Sequence, residues 1–189
     1  MRYLVVSQPK SGTMLSANLL QEFGLTFSYV HIFGNRYVKR HPEIWNSNDF
    51  HERLAIPSDV ATGLKQVPED TFALSHLSPI HHNSIELTKN FRKILITRDY
   101  NEIRESAKRF EDKFDIKIGN LSDQRLDNIA LWAEQPDVFH LTFNDMIEKN
   151  TKVLDALQVW IRDDIKFDSE TAINNALAND TPTKSYLRN

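Results

Sequence analysis

YLVVSQPKSGTMLSANLLQEFG, residues 3–24, is the stretch that decides the fold. It begins with a short apolar, β-branched run, which is typical of a buried strand. The polar segment 7–13 follows, and then leucines recur at helical spacing. Gly24 comes directly after this apolar pattern, where a glycine predicts the end of a helix. The stretch therefore predicts a strand, a loop and a helix in that order.

The loop at 7–13 has the composition of a phosphate-binding site. A loop that enters a helix presents unpaired backbone N–H groups and the positive end of the helix dipole. Gly12 lets the backbone approach an anion, Lys10 adds a mobile positive charge, and Ser11 and Thr13 add hydroxyl donors. The pattern is not a Walker A loop, because its lysine precedes the only glycine of the loop, and the chain contains no dinucleotide-binding fingerprint. An ordinary polar turn is the alternative interpretation.

The composition is that of an ordinary globular protein. The chain has 189 residues, of which 40% are hydrophobic and 26% charged, and this predicts one domain spanning 1–189. The net charge of −3 argues against a general nucleic-acid binder. No metal site is predicted, because the chain has no cysteine and the spacing of His31, His41 and His51 matches no ligand pattern.

The sequence contains no signal peptide pattern and no apolar run of the ~18 residues that a membrane span needs. We therefore expect a soluble, cytoplasmic protein without a membrane partner. The sequence does not define an oligomeric state.

Predicted strands and helices alternate along the rest of the chain. Further strands are predicted at 26–33, 71–77, 93–97 and 137–143, and further helices near 83–91, 101–114, 121–134, 152–162 and 169–177. Asn101 is the predicted N-cap of the second of these helices. Residues 34–70 predict loops and short helices. Strands separated by helices predict a three-layer α/β/α domain with a central, mainly parallel sheet.

Three polar residues each follow the end of a predicted strand: Lys10, His76 and Arg98. In parallel sheets the ligand binds beyond the carboxyl ends of the strands. We therefore expect these three side chains at one edge of the sheet.

The loop resembles the 5′-phosphosulfate-binding loop of sulfotransferases, whose pattern is Pro-Lys-Ser-Gly-Thr-Thr/Ser-Trp. Five consecutive residues match, and Met14 and Leu15 depart from the pattern. The resemblance implies the P-loop NTPase-like sulfotransferase fold, with 3′-phosphoadenosine 5′-phosphosulfate (PAPS) as the donor and 3′-phosphoadenosine 5′-phosphate (PAP) as the product. It also implies that the 5′ side of the donor is bound by Pro9, Lys10, Ser11, Gly12 and Thr13.

A second matching segment is RDYNEIRESAKR, residues 98–109. An arginine at a strand end and a hydroxyl two helical turns later can hold one phosphate from two sides. The segment resembles the 3′-phosphate-binding segment of sulfotransferases, Arg-Asn/Asp-Pro-x-Asp/Glu-x-x-x-Ser, with Tyr100 in place of the proline. It matches in register at Arg98, Asp99, Glu102 and Ser106. The resemblance implies that Arg98 and Ser106 bind the 3′-phosphate, and a solvated helix with Glu–Arg pairs is the alternative.

His76 lies in FALSHL, residues 72–77. The segment resembles Lys-Thr-His-Leu-Pro of cytosolic sulfotransferases, in which the histidine is the catalytic base. Leu74 stands at the position of the lysine. The resemblance implies that His76 is the base, and a structural strand-end histidine is the alternative, with His81 and His82 as competing candidates.

The resemblance covers the chain from Tyr3 to about Ile161. It implies transfer of a sulfuryl group to a hydroxyl or amine of a small-molecule or carbohydrate acceptor. His76 would remove the proton of the acceptor, and Lys10 would stabilise charge at the leaving phosphate, without a metal.

The glycine-rich C-terminal segment of the family is missing, and Lys184 or Arg188 are candidates to replace it. The segments 26–67 and 78–83 are expected to shape the acceptor pocket. Two alternatives stay open: a nucleotide-binding protein of the same fold without turnover, and a P-loop kinase-like phosphotransferase.

Overall fold

A six-stranded sheet lies at the centre of the computed structural model, which describes residues 1–33, 36–39, 60–80, 83–115, 117–118 and 121–180. The strands are β1 (Arg2–Ser7), β2 (Thr26–Phe33), β3 (Arg36–Lys39), β4 (Thr71–Ser75), β5 (Phe91–Thr97) and β6 (Val138–Thr142). Their order across the sheet is β3-β2-β4-β1-β5-β6. All neighbours pair in parallel except β3, which pairs antiparallel with β2. The predicted mainly parallel sheet is confirmed.

Helices connect the strands. They are α1 (Thr13–Glu22), α2 (Val60–Lys65), α3 (Ser84–Leu87), α4 (Tyr100–Phe114), α5 (Asp123–Ala130), α6 (Phe143–Ile147), α7 (Thr151–Ile161) and α8 (Ser169–Asn179). A 3-10 turn, Leu131–Glu134, continues directly from α5.

The central strand β1 divides the core into two layers. Its side chains alternate, so that Tyr3 and Val5 pack into one core while Leu4 and Val6 pack into the other. The first core is covered by α1, α7 and α8, and the second by α2, α5 and the 3-10 turn. Helices therefore lie on both faces of the sheet, and the predicted three-layer α/β/α class is confirmed.

The N-terminus of α4 differs from the prediction. The N-cap is Asp99, whose carboxylate accepts hydrogen bonds from the backbone N–H groups of Asn101 and Glu102, at 2.9 and 3.2 Å. The prediction of Asn101 as the cap was wrong because the helix begins one residue after the strand-end pair Arg98-Asp99. The earlier start places α4 immediately behind Arg98.

The strand predicted at 137–143 ends at Thr142, because a capping box turns the chain into α6 there. The Asp145 N–H donates to Thr142 Oγ1 at 3.0 Å, and the Thr142 N–H donates to Asp145 Oδ2 at 3.0 Å. Burial raises the pKa of Asp145, but hydrogen bonds from Thr142 and Asn150 outweigh it and hold this pKa below 3.8. As a result Phe143 opens a helix instead of ending a strand.

Candidate functional site

The loop between β1 and α1 is held in shape by its own polar groups. The backbone N–H and the hydroxyl of Ser11 both donate to the carbonyl of Gln8, at 3.2 and 2.6 Å. The side chain of Gln8 donates in turn to the carbonyl of Leu126 at 2.9 Å. Lys10 and Gly12 have left-handed backbones, with φ of 63° and 97°. The hydroxyl of Ser11 therefore points into the loop and closes it.

The helix that follows presents its N-terminus at this loop. It begins at Thr13, and its N-cap Gly12 has no side chain to satisfy the first N–H groups. A Cβ at Gly12 would lie 2.5 Å from Phe143 Cδ2, so the position requires glycine for space as well as for its φ angle. Together the first amides of α1 and the helix dipole form a site that favours an anion.

Both candidate cations of the site rest on aromatic rings. The ammonium of Lys10 lies 3.3 Å from the ring centroid of Phe110, and the guanidinium of Arg98 lies 3.9 Å from that of Phe143. Arg98 also donates through Nη1 to the carbonyl of Lys10 at 3.3 Å and through Nε to Glu102 at 2.8 Å. Its side chain is only 8% exposed. These contacts fix the guanidinium directly beside the loop.

Ser106 lies buried on α4, on the face that also carries Phe110 one turn later. Because Phe110 contacts the ammonium of Lys10, this face of α4 adjoins the loop. At the start of the same helix, the Tyr100 hydroxyl donates to Asp127 Oδ1 at 2.5 Å. Burial and this hydrogen bond raise the pKa of Tyr100 to about 12. Tyr100, which replaces the proline of the family's segment, thus attaches α4 to α5.

His76 contacts the loop from the other side. Its backbone N–H donates to the carbonyl of Ile32 at 3.0 Å, which continues the pairing of β4 with β2. Its Nδ1 lies 2.7 Å from the carbonyl oxygen of Ser7 and 3.2 Å from Ser7 Oγ. The structure therefore brings His76, Lys10 and Arg98 together around one loop, at the carboxyl ends of β4, β1 and β5.

Sequence reasoning missed the position of His31 beside His76, since it considered His31 only for its spacing from His41 and His51. The ring centroid of His31 lies 4.9 Å from that of His76, and Phe33 lies 3.9 Å from His31 and 5.5 Å from His76. The pairing of His31 with Leu74 across β2 and β4 produces this contact. Alternation on β2 places His31 and Phe33 on one face, but nothing local indicates that β4 is the neighbouring strand.

Several residues named from the sequence lie outside the described residues: His41, His51, His81, His82, Lys184 and Arg188. The segments expected to shape the acceptor pocket are described only in part. Within the described ranges, no group of three His, Asp or Glu side chains could hold a metal ion, and no helix is long and apolar enough to cross a membrane.

Comparison with known proteins gives a result only at the level of structure, since no family model and no curated protein sequence matches the chain. Mouse sulfotransferase SULT7A1 complexed with PAP has a TM-score of 0.57 and 18% identity, over 94% of this chain and 64% of that chain. Retinol dehydratase with androsterone and the inactive cofactor PAP has a TM-score of 0.55 and 14% identity, over 94% and 64%. Retinol dehydratase with retinol and PAP has a TM-score of 0.51 and 15% identity, over 93% and 63%.

The chain thus spans just under two thirds of the length of these solved chains. The matches cover 93–94% of this chain. At such low identities a structural likeness defines the fold, and the fold of this chain is that of the sulfotransferases.

Proposed function

We propose that the protein is a sulfotransferase that moves a sulfuryl group from PAPS to a hydroxyl or amine of a small-molecule or carbohydrate acceptor. One observation carries the proposal: a single loop contacts both other candidate residues. The carbonyl of Ser7 lies 2.7 Å from His76 Nδ1, and the carbonyl of Lys10 lies 3.3 Å from Arg98 Nη1. The PAP complexes of the structural neighbours support the same donor.

A 5′-phosphate site, formed by Lys10, Gly12 and Thr13, fits one end of the donor. It offers the first amides of α1, a hydroxyl and an ammonium. Pro9 is buried, and Ser11 closes the loop through its hydroxyl, so these two residues contribute by shaping the backbone.

A 3′-phosphate site, formed by Arg98 and Ser106, fits the other end. The guanidinium of Arg98 keeps donors beyond those used on Glu102 and Lys10, because it carries five N–H groups in a planar fork. Packing against Phe143 orients that fork. Ser106 lies on the face of α4 that adjoins the loop.

The geometry of His76 suits a general base. A carbonyl oxygen can only accept, so the 2.7 Å contact with the Ser7 carbonyl assigns the ring proton to Nδ1 and leaves the lone pair of the neutral ring on Nε2. His76 Nε2 would take the proton from the acceptor hydroxyl. When bound, PAPS supplies a sulfuryl group, whose bond to the 5′-phosphate breaks as the bond to the acceptor oxygen forms, with the electron pair left on the phosphate. Lys10 would stabilise the charge that appears there.

The proposal is tested by incubating the protein with PAPS and a panel of phenols, alcohols, amines and sugars, and measuring acceptor-dependent formation of PAP. Lys10→Ala should lower the rate by about 100-fold or more, because it removes a preorganised charge donor. His76→Asn should lower it by about 100- to 10,000-fold. Lys89→Ala is the matched control, since Lys89 pairs with Glu86 on the exposed surface. Full activity of the Lys10 and His76 variants, or phosphoryl transfer from ATP or GTP instead, would contradict the proposal.

A second candidate, PAP binding without turnover, is favoured by one observation. Leu74 is fully buried in the core, at the position where cytosolic sulfotransferases carry a lysine near the base. The site therefore lacks a cation that the resemblance would supply. Tight PAP binding without PAP formation on any acceptor would select this candidate.

A further inference from the structure

We propose that the buried hydroxyl of Ser7 is a positioning residue that couples the general base to the 5′-phosphate site. The coupling runs through a hydroxyl chain, defined as His76 Nδ1, Ser7 Oγ and Thr13 Oγ1. Ser7 Oγ lies 3.2 Å from His76 Nδ1 and 2.7 Å from Thr13 Oγ1. The inference rests on the proposed function, since it assigns Ser7 a part in the same site.

The direction of the hydroxyl chain follows from the backbone. The carbonyl of Ser7, 2.7 Å from His76 Nδ1, requires a proton on that nitrogen, because two acceptors do not approach so closely. Ser7 Oγ, on the same side of the ring, then acts as an acceptor toward Nδ1, and its own hydrogen is available for Thr13. We assign the hydrogen of this bond to Ser7, which directs the hydrogen of Thr13 away from Ser7. Each group donates to the next, from His76 toward the N-terminus of α1.

This orientation matters because opposite charges would develop at the two ends of the hydroxyl chain. In the proposed reaction His76 becomes positive as it accepts a proton, while the phosphate oxygen beside Thr13 becomes more negative. Donors aligned from the positive to the negative end are polarised by both charges. Ser7 has no solvent exposure, so water does not compete for these hydrogen bonds. Protonation of His76 and occupation of the 5′-phosphate site should therefore favour each other.

The variant Ser7→Ala distinguishes the effect of the Ser7 hydroxyl from the effect of the Ser7 backbone carbonyl. The variant keeps the contact between the Ser7 carbonyl and His76 Nδ1 that sets the tautomer of His76. It removes both contacts of the hydroxyl, the one with His76 and the one with Thr13. The ring of His31 also contacts His76, on the side of β2, so the signals of the two rings are followed separately. Ser16→Ala is the matched control, because Ser16 is a buried serine of α1 whose hydroxyl donates to the Thr13 carbonyl at 2.8 Å, outside the hydroxyl chain.

The test combines calorimetric titration with PAP and ¹⁵N NMR of the histidine rings, across the range in which histidine titrates, about pH 5 to 8. Ser7→Ala should weaken PAP binding by about two- to tenfold, the effect of one neutral hydrogen bond. PAP should raise the pKa of His76 in the wild type and raise it less in Ser7→Ala, whereas Ser16→Ala should match the wild type. In a Thr13→Val background, Ser7→Ala should have no further effect on PAP binding.

The outcomes separate the two proposals. A wild-type protein that does not bind PAP overturns the proposed function, and the inference with it. PAP binding in which Ser7→Ala matches the wild type, in both affinity and the rise of the His76 pKa, overturns the inference alone. Full additivity of the Ser7 and Thr13 effects also overturns it, because the two hydroxyls would then act separately.

Discussion

Gly12→Ala should both destabilise the protein and disturb the site. The added Cβ would lie 2.5 Å from Phe143 Cδ2, 3.1 Å from Phe143 Cε2 and 3.2 Å from Met146 Cε. The ring of Phe143 has little freedom to move, since it is 5% exposed and the guanidinium of Arg98 lies 3.9 Å from its centroid. The clash therefore reaches Arg98, and with it the proposed 3′-phosphate site, through Phe143.

The magnitude follows from three contributions to the free energy of unfolding. A non-glycine residue at a φ of 97° loses about 1–2 kcal/mol. Forcing a methyl group into a packed core lowers the free energy of unfolding by about 1–3 kcal/mol more. Alanine also lowers the conformational entropy of the unfolded chain, which stabilises the folded state by about 0.4–1 kcal/mol. The net destabilisation is about 1–4.5 kcal/mol, with the steric contribution the larger part.

Urea unfolding followed by tryptophan fluorescence measures this loss. Gly24→Ala is the control, because Gly24 has a φ of 80° and meets only the tip of the Phe167 ring, at 3.1 Å. Gly24→Ala should lower the free energy of unfolding by about 1 kcal/mol, because of the unfavourable φ angle alone. In a Phe143→Leu background the loss at Gly12 should fall toward this control value. If Gly12→Ala lowers the free energy of unfolding no more than Gly24→Ala does, and Phe143→Leu leaves this loss unchanged, then the clash with Phe143 does not cause it.

Two further predictions concern stability and pH. Asp145→Ala should lower the free energy of unfolding by about 1 kcal/mol, because it removes the hydrogen bonds that the carboxylate accepts from Thr142 in the capping box. Hydrogen bonds from Thr142 outweigh burial and hold the folded pKa of Asp145 below 3.8, so this difference from the wild type should be present at neutral pH and shrink as the pH falls below 3.8. A difference that stays constant into acid would contradict it. Burial lowers the pKa of Lys93 below 10.5, so the wild type should gain stability relative to Lys93→Met as the pH rises toward 10.5 in thermal unfolding. A constant or opposite trend would contradict this sign.

The unit β1–loop–α1 could be predicted because its local signals agree. The apolar run, the loop composition and the stop at Gly24 each indicate the same boundaries, and the left-handed φ angles of Gly12 and Gly24 show why glycine stands there. Convergence of Lys10, His76 and Arg98 could also be predicted, because parallel strands end at one edge of a sheet.

The contacts across the site could not be predicted in the same way. Periodicity predicts the helix at 101–114, but it does not tell which group a ring such as Phe110 meets, and the ammonium of Lys10 comes from another element. Phe143 was placed at the end of a strand, whereas the capping box turns it under Arg98. The strand β3 was missed because it has four residues, and a short edge strand depends on its partner β2 more than on its own pattern.

The central claim is that one nucleotide is bound at two separate phosphate sites. It is tested most directly by calorimetric titration of the wild type, Lys10→Ala and Arg98→Ala with PAP, adenosine 5′-monophosphate and adenosine 3′-monophosphate. Lys10→Ala keeps the backbone carbonyl that accepts the hydrogen bond from Arg98, so it does not remove this contact of the guanidinium.

The wild type should bind PAP more tightly than either monophosphate. Arg98→Ala should bind PAP and the 3′-monophosphate about tenfold or more weakly than the wild type does, because a charged hydrogen bond is removed at one site only. Its affinity for the 5′-monophosphate should change little. Lys10→Ala should show the reverse pattern. Failure of the wild type to bind PAP, or equal losses for both monophosphates in each variant, would contradict the two-site account.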